Sequence, residues 1–337
     1  MLSIAALIKR ISRQFIRDRR TLALLIVAPL FIFTLLWVVF TTEAYEPKIA
    51  VINEDTSLQS PFEKSDYVLL TEAEAKKMLN ERKIDAYLRL FPSPTIYLEG
   101  SEPAKNQAVL MKLQKTMQTM KEGAKQELDI HYLHGSKDLT SFDAFGPVLL
   151  GFFTFFFVFL ISGVSFLRER TTGTLDRLMA SPIKNSEIIF GYLIGFGIFA
   201  SLQSVILTSY GIYVLKMYHA GRLIDVLMII LILSFSALTL GMLLSAFARN
   251  ELQLMQFIPV VIIPQVFFSG IFQFETLPEW AQWLGKATPL YYAADALKGI
   301  MLRGEGFASW WGSGLVLIGF SFLFIWMNLG ALRAYRK

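Results

Sequence analysis

The residues best placed to do chemistry lie between Glu169 and Ile183, in the run Glu-Arg-Thr-Thr-Gly-Thr-Leu-Asp-Arg-Leu-Met-Ala-Ser-Pro-Ile. Leu175, Leu178 and Met179 recur at i, i+3 and i+4, so a short helix here carries a compact apolar knob ringed by charge. A solvated connector has no use for such a knob, whereas a helix seated in a partner's groove does. Ser181-Pro182 then turns the chain back. Other chemistries are poorly supplied. There is no cysteine, which excludes disulfides, thiolate metal sites and thiolate nucleophiles. His131-x-x-His134 has helical spacing but no third ligand, and reads as a solvated helix face before a metal site. No G-x-x-x-x-G-K-[ST] loop occurs, so these residues cannot cradle ATP in that way, and no Ser/His/Asp arrangement stands out among three histidines.

The elements that must position the 169–183 run are membrane spans. Of 337 residues 54% are hydrophobic and only 18% charged, and the mean hydropathy is +0.49, too apolar for a disordered chain and for an ordinary soluble globule. Six segments, at about 22–40, 146–167, 188–215, 223–247, 254–274 and 310–332, are each near the roughly 20 apolar residues that cross a hydrocarbon core. The first is too long for the apolar part of a signal peptide and has no small-x-small site after Phe40, so it reads as a retained anchor.

Basic residues fix the orientation. With six alternating spans, fourteen Lys and Arg share one side, among them Lys9, Arg10, Arg13, Arg17, Arg168, Arg170, Arg177, Lys184, Arg249 and Arg333. The opposite short loops hold only Lys216, Arg222, Lys286, Lys298 and Arg303. Both termini are therefore expected in the cytoplasm, in a multi-pass plasma-membrane protein. Five acids on that side leave it at +9, a charge suited to anionic lipid and not a sign of nucleic-acid binding.

Residues 1–20 read as a cytoplasmic amphipathic helix, with Ile4, Leu7, Ile8, Ile11 and Phe15 on a face expected among acyl chains; 21–41 follow as the first span. Residues 42–145 read as a small extracytoplasmic α/β domain. Strands are expected at Lys48 to Asn53, Ile84 to Leu90 and Thr95 to Leu98. A Thr71-x-x-Glu74 capping box opens a helix to about Arg82, and another after Pro103 has Val109, Leu113, Met117 and Met120 on one face. The remainder, 146–337, holds spans two to six, a cytoplasmic loop at 168–187 and an outer re-entrant segment at 275–306. That segment should settle its Trp280, Trp283, Tyr291 and Tyr292 at the outer interface. The fold class is thus an all-α six-helix transmembrane domain with an inserted α/β domain.

No ionisable side chain falls at the bilayer centre, which argues against proton- or ion-coupled transport. Gln203, Gln256, Gln265 and Asn328 are polar exceptions, expected to hydrogen-bond between helices more than to bind a substrate. Gly191-x-x-x-Gly195 should pack closely on a neighbour.

The 169–182 run resembles the E-R-E-x-G-T-L-E-x-L-L-x-x-P segment of ABC-2 type exporter permeases, matching at Glu169, Arg170, Gly173, Thr174, Leu175, Leu178 and Pro182, with Asp176 in place of Glu. Phe268-Ser269-Gly270, Leu277-Pro278 and Thr288 to Lys298 resemble that family's final segment, and Ile49 to Asp55 resembles members with a large first outer loop. The resemblance implies a permease and not an enzyme, with a separate ATPase that binds ATP and Mg, and no cofactor held by this chain. It also implies a second permease chain, identical or related, and ATPase coupling through the matched residues of the 169–182 run. An aromatic, uncharged path suits outward movement of an amphipathic or hydrophobic cargo such as a drug, an antibiotic or a lipid. Phe153, Phe156 and Phe157 in span two and Gln265, Phe267 and Phe268 in span five are its candidates, with Pro259 and Pro264 bending span five. Two alternatives stay open: the phenylalanines simply face lipid, or the chain is a membrane-anchored receptor acting through residues 42–145. The membrane is expected to be bacterial.

Overall fold

The computed structural model describes residues 2–41, 47–52, 67–81, 83–89, 95–98, 108–114, 139–271 and 278–335. The expectations at Asn53 to Asp55, Leu90, Met117, Met120, His131, His134 and Leu277 fall outside them. The chain forms two compact units, Met1–Thr41 with Tyr132–Lys337, and Thr42–His131. Its elements in order are α1 (Leu2–Arg17), α2 (Arg19–Thr41), β1 (Ile49–Ile52), β2 (Tyr67–Leu70), α3 (Glu72–Asn80), β3 (Ala86–Arg89) and β4 (Thr95–Leu98). There follow α4 (Ser141–Thr171), α5 (Thr174–Met179), α6 (Asn185–Ser209), α7 (Leu223–Ser245), α8 (Glu251–Val266), α9 (Glu279–Lys286), α10 (Pro289–Arg303) and α11 (Phe307–Tyr335). Single π-helical turns, Tyr210–Val214 and Phe267–Ile271, extend α6 and α8.

In the larger unit α2, α4, α6, α7, α8 and α11 are the six described helices long and apolar enough to span a membrane. With 31 residues α4 is about 46 Å long against a core of about 30 Å, so its polar ends clear the hydrocarbon. It starts at Ser141, where Thr140 and Asp143 form a reciprocal capping box, so residues 141–145 are its first turns. The packing centre is α4 against α7, and glycine sets the distance between them. A Cβ on Gly241 would collide with the Phe159 carbonyl oxygen and Ser162 Oγ, and one on Gly163 would press on the Gly241 carbonyl at 3.2 Å. Phe155, Val158 and Phe159 of α4 and Ile229, Ile230 and Leu233 of α7 fill the core around this contact.

Gly191 and Gly195 do pack closely on a neighbour, and that neighbour is α1. Leu7 sits over Gly191 and Ile11 over Gly195, while Phe15 stacks on Phe199 with ring centroids 4.6 Å apart. The apolar face of α1 is therefore buried on α6 and is not left for acyl chains, because two glycines offer a groove that removes more apolar surface from contact with the headgroup region. In the 275–306 segment α9 exposes Trp280 and Trp283, whereas α10 buries Leu290, Ala293, Leu297 and Ile300 in the core. Its run of small and apolar residues packs it on the rest of the unit.

The smaller unit carries a four-stranded sheet in the order β2-β1-β3-β4, with β1 parallel to β2 and β3, and β3 antiparallel to β4. One face packs Ile49, Val51, Ala86 and Leu88 on Val109 and Leu113 of the helix over 108–114. The other packs Ala50, Ile52 and Tyr87 on Ala75 of α3. Burial on both faces explains why β1 is apolar throughout. Thr71 and Glu74 form the expected capping box, and the Thr71 hydroxyl and amide hold the Glu74 carboxyl below its usual range.

If glycine sets the α4–α7 spacing, Gly241→Ala should destabilise the protein by about 1–3 kcal/mol, the cost of overpacking. Gly197→Ala, where a Cβ meets nothing within 4 Å, should leave the melting temperature in detergent unchanged or raise it. Equal melting of the two variants would refute the packing account.

Candidate functional site

The site grows from the end of α4, where three consecutive charged side chains leave in three directions. Arg168 Nε meets Glu251 Oε1 at the start of α8, 2.7 Å away and exposed. Glu169 turns inward, 4% exposed. Its Oε2 accepts from Arg10 Nη2 of α1 at 2.6 Å and from the Tyr192 hydroxyl of α6 at 2.7 Å. Arg10 Nη2 also donates to the Tyr192 oxygen at 2.7 Å, which closes a triangle of three helices. Burial lowers the Arg10 pKa, but Tyr192 and the Glu169 carboxylate more than offset it and hold the guanidinium above its ordinary value. Arg170 Nη1 donates to the carbonyls of Ser245 and Ala248 and so caps the end of α7.

Beyond these charges the chain turns tightly. The Thr172 hydroxyl and amide both donate to the Arg168 carbonyl, at 2.7 and 2.9 Å. Gly173 follows at φ +72, a left-handed conformation that an L side chain adopts only with strain, while the space around it is open. Thr174 Oγ1 lies 3.1 Å from Thr172 Oγ1 and opens α5. The α5 helix does not present its leucines outward. Leu175 is 0% exposed and lies in the main core, with Leu178 and Met179 half-buried against it. The outer face of the turn is polar: Thr171, Thr172, Asp176 and Arg177 are exposed, followed by Ala180 and Pro182. The apolar triplet therefore anchors the loop, because a core apolar pocket lies directly beneath it, and the charged residues are what the loop offers to solvent. Ser181 Oγ donates to the Leu178 carbonyl at 2.6 Å and locks the exit toward α6.

The family to which these six spans belong is given by the sequence. The sequence pattern of the family described as "ABC-2 family transporter protein" covers residues 19–329. The chain belongs to that ABC-2 transporter family. Among its relatives is "ABC transporter G family member 20" of Dictyostelium discoideum, 28% identical over 208 residues, which are 61% of this chain and 28% of the relative. "Probable multidrug ABC transporter permease YbhR" of Escherichia coli is 29% identical over 168 residues, 50% of this chain and 46% of that one. "Inner membrane transport permease YhhJ" of Escherichia coli is 26% identical over 182 residues, 53% and 47% of the two. The chain thus spans less than half the length of these relatives.

The ABC-2 chain disposes its candidate path residues unevenly. Phe153 and Phe157 are buried within the bundle, Phe153 against Phe33 of α2 at 5.9 Å, and Phe156 is half-buried. Both rings are covered by other residues of this chain. Gln265 is buried, with Nε2 on the Val261 carbonyl of its own helix at 3.1 Å and Oε1 without a hydrogen bond. Phe267 is exposed and Phe268 half-buried on the π-helical turn. Among the described residues, Asn328 alone of the four polar exceptions bonds another helix, through Nδ2 to the Thr239 carbonyl at 2.9 Å. Gln203 is buried with both amide atoms lacking a hydrogen bond, and Gln256 is exposed. Arg10 and Tyr192 were missed as site residues: Arg10 is one of six bases in its flank, and nothing local marks a partner 159 residues away.

Arg10→Ala should cost roughly 2 kcal/mol, less than a fully buried pair because Arg10 reaches solvent. Replacing both charges, as Arg10→Met with Glu169→Gln, should cost less than the two single changes added together. Additive losses in thermal unfolding would show that the two side chains act separately.

Proposed function

We propose that this chain is the permease subunit of an ATP-driven exporter that works with a separate ATPase and a second permease chain. The observation that carries this reading is the braced turn at 172–182, whose exposed Asp176 and Arg177 stand on a buried Leu175. Such a rigid, charged ridge is suited to receive force, because a load on it passes without slack into α4, α6, α7 and, through Glu169, α1. Coupling requires the ATPase to grip the ridge differently in its two states. ATP and Mg would act in that partner.

The asymmetry of basic residues supports a cytoplasmic ridge and cytoplasmic termini, and with them a sheet unit on the outer side. The exposed face of α8 supports a second chain. It carries Gln256, Val260 and Ile263 toward the surroundings, and an amide at membrane depth is better satisfied against protein than against lipid. The name of the Escherichia coli relative YbhR speaks of multidrug transport, and an uncharged membrane interior fits an amphipathic or hydrophobic cargo. The plasma membrane of a bacterium fits the same relative.

The outward polarity of α5 decides which variant tests the reading. Leu175→Asp would bury a charge in the core and unfold the loop. Asp176→Arg with Arg177→Glu alters only the exposed ridge, and should lower export and drug-stimulated ATPase activity about tenfold, a loss of roughly 1.4 kcal/mol of coupling. Thermal unfolding should not move. Full export in this variant would overturn the proposal.

A further inference from the structure

α4, α7 and α11 end on the same side of the bundle, and their ends enclose a pocket of about 330 Å³. Phe166, Ile189, Phe247 and Leu332 make it largely apolar, while Arg170 and Asn328 are its polar lining residues. A second groove of about 470 Å³ adjoins it and shares Phe247 and Ala331. This groove follows α7 and α11 past Leu243, Met327 and Trp326, with Arg333 among its lining residues. The volumes fall in the range of small-molecule sites.

Charge and depth say what fits. Arg170 lies in the last turn of α4 and Arg333 in the last turn of α11, so the basic groups mark the level at which these helices leave the hydrocarbon. Trp326 is seven residues before Arg333, about 10 Å deeper along the helix. Its indole is 72% exposed, on a helix that mostly faces outward. No acidic side chain is among the residues lining either cavity. Positive charge at headgroup depth over an apolar track is complementary to an anion with a hydrocarbon tail.

We propose that this pair of cavities is a binding site for one anionic phospholipid. The phosphate sits by Arg170 and Arg333, and an acyl chain runs past Phe247 over Trp326. In the orientation proposed above the lipid comes from the inner leaflet. Because Arg170 also caps α7 and adjoins the turn at 172–182, the bound headgroup stiffens the base on which that turn stands. The site is separate from the candidate cargo path through Phe153, Phe156 and Gln265.

The test uses the purified full-length chain alone, in neutral detergent, so that it can fail without touching the transport reading. Native mass spectrometry would follow titration with dioleoylphosphatidylglycerol and, separately, dioleoylphosphatidylcholine. One phosphatidylglycerol should be retained per chain in preference to phosphatidylcholine. Arg333→Gln should weaken that retention about fivefold, the value of one basic side chain near an anionic headgroup, and leave phosphatidylcholine unaffected. Ala331→Phe, which fills both cavities without touching Arg170, should abolish the retained lipid while helical circular dichroism stays unchanged. Equal retention of the two lipids, or retention insensitive to both variants, would overturn the site. So would a change in the mass of the oligomer on Ala331→Phe, since the groove would then be covered by a second copy.

Discussion

The larger unit depends on how one helix end disposes of its charges. Arg168, Glu169 and Arg170 are consecutive, so a helical pitch of about 100° per residue points them at three different neighbours. Each found a partner of a different kind: an exposed carboxylate on α8, a half-buried arginine with a buried tyrosine on α1 and α6, and the open carbonyls at the end of α7. The exposed pair contributes little by itself. The buried one is the stricter constraint, because Glu169 without Arg10 would be a charge left inside. Four helices are thereby registered against the last turn of α4, immediately before the chain enters the turn at Gly173.

Much of this was legible in the sequence, and the reasons differ by element. The six spans were plain because length and apolarity suffice to define them, and the capping box at Thr71 and Glu74 announced α3 because its two hydrogen bonds are local. The strand β2 was not foreseen: Tyr67 to Leu70 is a four-residue apolar run with no alternation, which a strand buried on its inner side shares with many other segments. The i, i+3, i+4 triplet in α5 was read correctly as one face, yet periodicity states only that a face exists, not what covers it. The same holds for α1. Its amphipathic stripe was evident, but the surface it meets belongs to two glycines in α6, and no local pattern connects them. The turn residues Gly173, Ser181 and Pro182 were legible because each has a backbone reason to be there.

The bundle also carries polarity that its packing does not use. The described hydroxyls of Thr154, Thr208 and Ser236 and the amide of Gln203 are buried without a hydrogen-bond partner, on α4, α6 and α7. An unmet donor or acceptor in an apolar core carries a cost of about 1–3 kcal/mol. Three adjoining helices holding such groups are less firmly fixed against one another than their apolar contacts alone suggest. The contrast with the α4–α7 glycine contact is instructive, since one feature holds a spacing and the other leaves it able to change.

The docking of α1 has a consequence for how the protein is made. Its apolar face is completed by Gly191 and Gly195, and its arginine by residues 159 and 182 positions further on. This helix therefore has no berth until the third span has been threaded into the bilayer. In the interval it must wait at the membrane surface, where a basic, greasy peptide is well received. Order of synthesis and order of docking thus differ for α1, which settles only after the third span has been made.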